Sequence, residues 1–357
     1  MAVSLKRILA GLSLVVMSVA AVTLSACGNG EVASDGSPPP TLTGVTKSTA
    51  PSPAGVVWLG SNNNVILRQD SAGSAWERSR LGTTSASLNG LNDIAFADGT
   101  HGWAVGGTII HTADAGRTWV AQRSDVTVPL DRVAFADARH GFAVGIDTIL
   151  ATTDGGASWT RQFVDGGLPW NTFIDAVATV DGRNAWAVDE RGGLESTTDG
   201  GKTWVRTRLV TAAHPLCDLT FVDSRRGWIA AVDMVLCTSD GGLTWSQQSL
   251  PGRLFAIAFA DDVNGWCVGD VILRTRDGGS SWQDITPHQY VNDSVVLLDV
   301  AAQDAQHIWV VGSEGTGGGN GRGVVLYTSN GGRRWVDATP RVKGGVPAWI
   351  TVTVAGN

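Results

Sequence analysis

Short runs of three to six β-forming residues, broken by glycine and aspartate, make up residues 55–357. Convincing helical spacing of apolar positions is absent, so the runs read as strands. One set is Ile94-Ala95-Phe96, Trp103-Ala104-Val105-Gly106, Thr108-Ile109-Ile110 and Trp119-Val120-Ala121. Four short strands joined by polar turns are the predicted unit, and the unit recurs along the chain.

Two turn signatures fix the repeat. The first is Thr197-Thr198-Asp199-Gly200-Gly201-Lys202-Thr203-Trp204, with near-copies at 112–119, 152–159, 238–245, 275–282 and 328–335 and a worn copy at 70–76. Its acid or amide falls at Asp70, Asp114, Asp154, Asp199, Asp240, Asp277 and Asn330, at intervals of 37 to 53 residues. A short acidic side chain accepts backbone N–H bonds within a tight turn. Glycine supplies the positive φ, and the tryptophan starts the return strand with a large apolar area. The second signature is an aspartate five residues before an aromatic: Asp98/Trp103, Asp137/Phe142, Asp181/Trp186, Asp223/Trp228, Asp261/Trp266 and Asp304/Trp309. These two columns, extended to Trp58, account for all fifteen tryptophans except Trp170 and Trp349.

The first repeat lacks a first strand of its own, and the chain ends on an unpartnered apolar run, Trp349-Ile350-Thr351-Val352-Thr353-Val354. That run is predicted to complete the first blade and close the ring, which also protects sheet edges. The predicted fold is all-β: a seven-bladed β-propeller of four-stranded antiparallel blades spanning residues 55–357.

The chain ahead of the propeller has a different character. Lys6 and Arg7 precede an apolar run, followed by Leu24-Ser25-Ala26-Cys27, which resembles a bacterial lipobox. The resemblance implies a signal peptide over 1–26 and lipidation at Cys27, on the periplasmic side of the outer membrane. Residues 27–54, rich in Gly, Ser, Pro and Thr, read as a flexible tether. The formal charge of −7 grows more negative once Lys6 and Arg7 are removed. An acidic domain without basic runs argues against nucleic acid. Cys217, Cys237 and Cys267 read as small apolar residues rather than disulfide partners.

The eight-residue signature resembles the Asp-box, or BNR, repeat. Gly265-Trp266-Cys267-Val268-Gly269 followed by 271–282, and 102–106 followed by 109–119, are similar to the photosystem II assembly/stability factor family. That resemblance covers essentially all of 55–357. It implies a seven-bladed propeller, a lipoprotein form, and capture of a membrane-protein precursor through an arginine-rich surface. Asp-box propellers also include sialidases, so a glycan-binding or glycan-cleaving protein is the alternative. Sialidase chemistry wants a tyrosine nucleophile, but Tyr327 falls in a variable third-strand column and Tyr290 on a loop. Asp93, Asp131, Asp175, Asp218 and Asp299 start innermost strands and read as channel lining. His101, His140 and His307 share one turn column on separate repeats, so no metal site and no cofactor is predicted.

Both turn signatures lie on one face. The long irregular links, 161–172, 206–216, 284–296 and 313–323, lie on the other, where function usually sits. That face is expected to carry Arg78, Arg123, Arg132, Arg161, Arg206, Arg208 and Arg253, with Trp170 and Tyr290 as aromatics without a scaffold role. The sequence thus reads as a monomeric, non-enzymatic, membrane-anchored propeller that binds a protein partner, with those nine residues as candidate contacts.

Overall fold

The structure is a computed structural model. It describes residues 55–354 except 62, 72, 83–89, 165, 170, 211–213, 316–321 and 342–348. The predicted signal peptide, the tether, Cys27 and Trp170 therefore lie outside the described residues.

Seven antiparallel sheets form the blades, and six of the seven have four strands. The second blade shows the pattern: Leu91–Phe96, Gly102–Gly106, Ile109–Thr112 and Thr118–Gln122, from the channel outwards. The C-terminal strand Trp349–Val354 is the innermost strand of the first blade and pairs Val57 with Val354, Trp58 with Thr353 and Leu59 with Val352. The ring closes as the sequence predicts.

Five of the Asp boxes are tied by the same set of bonds, whereas the worn box at Asp70 is held by Ser71 and Ser74 and by the pairing of Asp70 with Arg68. In the second blade Asp114 Oδ1 accepts from Thr118 N at 2.8 Å, and Oδ2 accepts from Thr118 Oγ1 at 2.7 Å. Thr112 Oγ1 donates to Asp114 Oδ1 at 2.8 Å and accepts from Gly116 N at 2.9 Å. The set recurs at Asp154, Asp199, Asp240 and Asp277. Asn330 keeps the backbone bond, from Arg334 N at 2.8 Å. Hydrogen bonds to the charged form hold the Asp154, Asp199 and Asp240 carboxyls down at about 2. In the box at Asp199 both glycines take positive φ, 79° and 87°. The second signature is equally local: Asp98 Oδ1 accepts from Thr100 N at 2.6 Å and His101 N at 2.7 Å.

The boxes also join blade to blade. The strand-two indole N–H of one blade donates to a box carbonyl of the next: Trp58 to Ala115 at 3.1 Å, Trp103 to Gly155 at 3.0 Å, Trp186 to Gly241 at 2.9 Å and Trp228 to Gly278 at 2.8 Å. The same indoles stack on the first-strand phenylalanine of the next blade, as Trp103 does on Phe135 with centroids 3.4 Å apart. That ring meets its own box tryptophan edge-on, as Phe135 does Trp159 at 5.9 Å. Between blades six and seven an arginine takes over: Arg274, lying over the Trp266 ring, donates to Gly331 O.

Trp103 is fully buried. Trp103→Ala is expected to cost about 3–5 kcal/mol through the cavity it leaves. Thr112→Val strands the buried Gly116 N–H and is expected to cost about 1–3 kcal/mol. Chemical denaturation of the two variants checks both values.

Candidate functional site

The box face is short, regular and self-satisfied. His101, His140 and His307 hydrogen-bond through Nδ1 to Asp98, Asp137 and Asp304, at 2.9, 2.9 and 2.7 Å. Each sits in its own turn, so the three rings serve the scaffold.

Outside the boxes the arginines divide by what holds them. Arg78 and Arg123 are exposed, and among the described residues neither joins an ion pair. Arg161 is exposed and donates to Asp147 O at 2.9 Å. Arg208 is exposed and donates to two backbone carbonyls, Val210 O and Arg191 O. Arg78 and Arg161 pair with Leu67 and Leu150, mid-strand residues, so they lie on the outer rim of their blades. Phe163, two residues beyond Arg161, is 80% exposed. The four arginines thus stand exposed on or just after the outer strands of four successive blades.

Four of the sequence-predicted contacts are placed differently. Arg132 points into the central channel, where burial pulls its pKa down but Asp93, Asp218, Asp299 and Asp131 together outweigh burial and raise it. The cause is a β-bulge: the register shifts between Val144 and Gly145, which breaks the alternation and turns the third residue of Leu130–Phe135 inwards. Arg206 binds two fully buried carboxylates of its own blade, Asp189 and Glu195, each at 2.5 Å. Gly193 makes room for this, since a Cβ there would strike Asp189 Oδ2 and the Arg206 guanidinium. Arg253 is half-exposed and forms a forked pair with Asp270 at 2.9 and 3.0 Å. Tyr290 packs against the apolar cluster shared by blades six and seven, which gives it a scaffold role.

The channel acids are partly clasps, which the sequence reading missed. Asp93, Asp218 and Asp299 accept from Val133 N, Ile257 N and Val352 N of the following blade, at 3.0, 3.0 and 2.9 Å. Asp93 also accepts from Thr351 Oγ1 at 3.0 Å, so it ties the second blade to the closing strand. Burial pushes its carboxyl up to about 6 against the pull of Arg132. Tyr327, the candidate for sialidase chemistry, is buried beside Trp309, and burial pushes its phenol up to about 12. A phenol so placed is neither accessible nor readily ionised.

The fold and its bonded turns define a seven-bladed Asp-box propeller. A family model described as "Photosynthesis system II assembly factor YCF48" matches residues 124–213 and 207–290. A photosystem II assembly lipoprotein Ycf48 of Synechococcus sp. (strain CC9902) is 28% identical over 302 residues, covering 78% of this chain and 84% of that protein. The chloroplastic photosystem II stability/assembly factor HCF136 of Arabidopsis thaliana is 26% identical over 306 residues, covering 75% and 72%. A solved structure of YCF48 bound to D1 peptide superposes with a TM-score of 0.60 at 21% identity, over 80% of this chain and 96% of that one. The chain is a propeller built from Asp-box repeats and is similar in sequence to photosystem II assembly factors.

The buried acid pair in the fourth blade sets a pH response. Burial, and then the neighbouring Asp189, push Glu195 up to about 8. A carboxyl with a folded pKa above its ordinary 4.5 stabilises the protein at low pH and loses that contribution as pH rises through about 8. Stability is therefore expected to fall between about pH 5 and pH 8 and to level off above that range. Glu195→Gln is expected to flatten that decline, measured as melting temperature against pH.

Proposed function

We propose that this protein is a lipid-anchored, non-enzymatic assembly factor. Its propeller holds a protein partner, a segment of a membrane-complex subunit, on the rim and link-bearing side of blades two to four. The observation that supports this reading is the alignment of most of the chain with named assembly factors. The motifs that carry the resemblance are turn and strand motifs of the scaffold, so the partner is assigned by class and not as photosystem II itself.

The chemistry of the surface agrees with that class. Arg123, Arg161 and Arg208 are exposed, and forked guanidinium groups suit carboxylates on an acidic or membrane-proximal segment. Phe163 offers exposed apolar area two residues from Arg161. Arg206 is left out of the test, because reversing it would set three acids together inside the blade. Arg161→Glu with Arg208→Glu is expected to abolish partner capture from cell extracts while shifting the melting temperature by no more than a few degrees. Capture should also weaken as salt rises, mainly through the on-rate. Wild-type capture by the double variant would reject the reading.

Anchoring is assigned to Cys27, on the periplasmic side of the outer membrane, from the Leu24-Ser25-Ala26-Cys27 box. Cys27→Ser is expected to release the protein from the membrane fraction and abolish labelling by a fatty-acid analogue. Absence of label in the wild-type protein would contradict it.

A further inference from the structure

On the box side, the junction of blades six and seven departs from the self-satisfied pattern. Arg68 of the first blade and Arg274 of the sixth hold the same position. Each pairs with the strand-two tryptophan of its blade, Trp58 or Trp266, and each is buried. Arg68 has two carboxylates: Asp70 two residues on and Glu77 opposite it on the outer strand. At Arg274 the same two places hold Arg276 and Gln283. The Arg274 Nη1 and Nη2 groups donate to Gly331 O and Ala305 O of blade seven. Its Nε–H is buried and meets no acceptor among the described residues. Burial, and then Arg276 and Arg333, lower its pKa.

Positive charge therefore gathers here without acids to absorb it. The seventh box has Asn330 where the others have aspartate, so it carries no carboxylate. Arg276, Arg333 and Arg334 are exposed, and among the described residues none of them joins an ion pair. The acids nearby are occupied by their own turns. Asp277 accepts from Thr275 and from both the N–H and the hydroxyl of Ser281. Asp304 accepts from Gln306 N and His307, and Asp262 pairs with Arg226.

The start of the propeller lies at the same place. A Cβ on Gly55 would strike the Gln303 side chain. Gln303 N donates to His307 O, which closes the turn whose Ala305 O binds Arg274. Cys27 precedes Gly55 by 28 residues. An anchor at Cys27 thus holds the propeller by its box side, next to the arginines.

We propose that Arg276, Arg333 and Arg334 bind phosphate groups of anionic phospholipid in the membrane that carries the anchor. The inference rests on the anchoring at Cys27. Forked guanidinium groups suit phosphate oxygens, and an anionic surface attracts basic side chains close to it. The lipid supplies attachment, and the arginines supply orientation. The box side of blades six and seven faces the bilayer, and the links of blades two to four face away from it, open to a protein partner.

The test uses the full-length protein, purified from membranes and reconstituted on vesicles that carry an energy acceptor on a lipid headgroup. A fluorescent amino acid replaces Leu243 on the box side or Phe163 beyond the outer strand of blade three. On phosphatidylcholine vesicles containing phosphatidylglycerol, transfer from position 243 is expected to exceed transfer from 163 by about twofold or more. The preference should vanish on pure phosphatidylcholine. It should also vanish when Arg276→Gln, Arg333→Gln and Arg334→Gln are combined, with vesicle retention and melting temperature unchanged. Arg161→Glu should leave it intact. Equal transfer from the two positions on anionic vesicles, or an unchanged preference in the triple variant, overturns the proposal. So does a preference that appears only after Glu31→Gln with Asp35→Asn, which would assign the arginines to the chain's own acids. Stabilisation by inorganic phosphate that the triple variant loses, without any vesicle preference, would assign them to a free anion and also overturns it. Loss of the wild-type protein from the vesicles defeats the anchoring reading together with this one, whereas retention without orientation defeats this one alone.

Discussion

The structure depends on one contact that crosses from blade to blade: an indole N–H held by a box carbonyl of the next repeat, with the same ring stacked on a phenylalanine there. A four-stranded blade alone leaves an apolar face on each side. The lock covers both faces at once and fixes the rotation between neighbours, because the hydrogen bond sets height and the stack sets spacing. Buried indoles favour a partner for their N–H, and at four junctions the box carbonyl supplies it without a side chain. This explains why the Asp box is so regular. Its aspartate shapes a loop whose carbonyl must reach a fixed point on the adjoining blade.

Closure and channel follow from the same requirement. The C-terminal strand supplies the missing inner strand of the first blade, and Asp93 and Asp299 bind that strand from either side. With the boxes and channel committed to holding the ring, protein binding is left to the outer strands and links. There the blades differ. The fourth carries a buried ion cluster around Arg206, two grooves are closed by parallel links, and Arg123, Arg161 and Arg208 stand exposed.

Most of the fold was legible in the sequence because the signals repeat. A turn that needs aspartate, glycine and tryptophan at fixed offsets betrays itself when it occurs seven times. The closing strand could be read from the mismatch between the two ends of the propeller. The candidate site was less legible, for physical reasons. Arg206 meets Asp189 across two strands, a partnership that no local spacing announces. Arg132 turns inwards because a bulge breaks the alternation on which facing arguments rest. Tyr290 follows an irregular link back onto the core. The parallel additions at Leu81 and Val164 involve one or two residues, too few to leave a periodic trace.

The central claim is that partners meet the surface around Arg161 and not the box face. Two exposed apolar side chains make the comparison clean: Phe163 beside Arg161, at 80% exposure, and Leu243 in the box of the fifth blade, at 85%. A photo-crosslinking amino acid placed at each position in turn, in living cells, reports what lies against it. The account predicts a discrete membrane-protein adduct from position 163 and none from position 243. An adduct from 243 with nothing from 163 would contradict it.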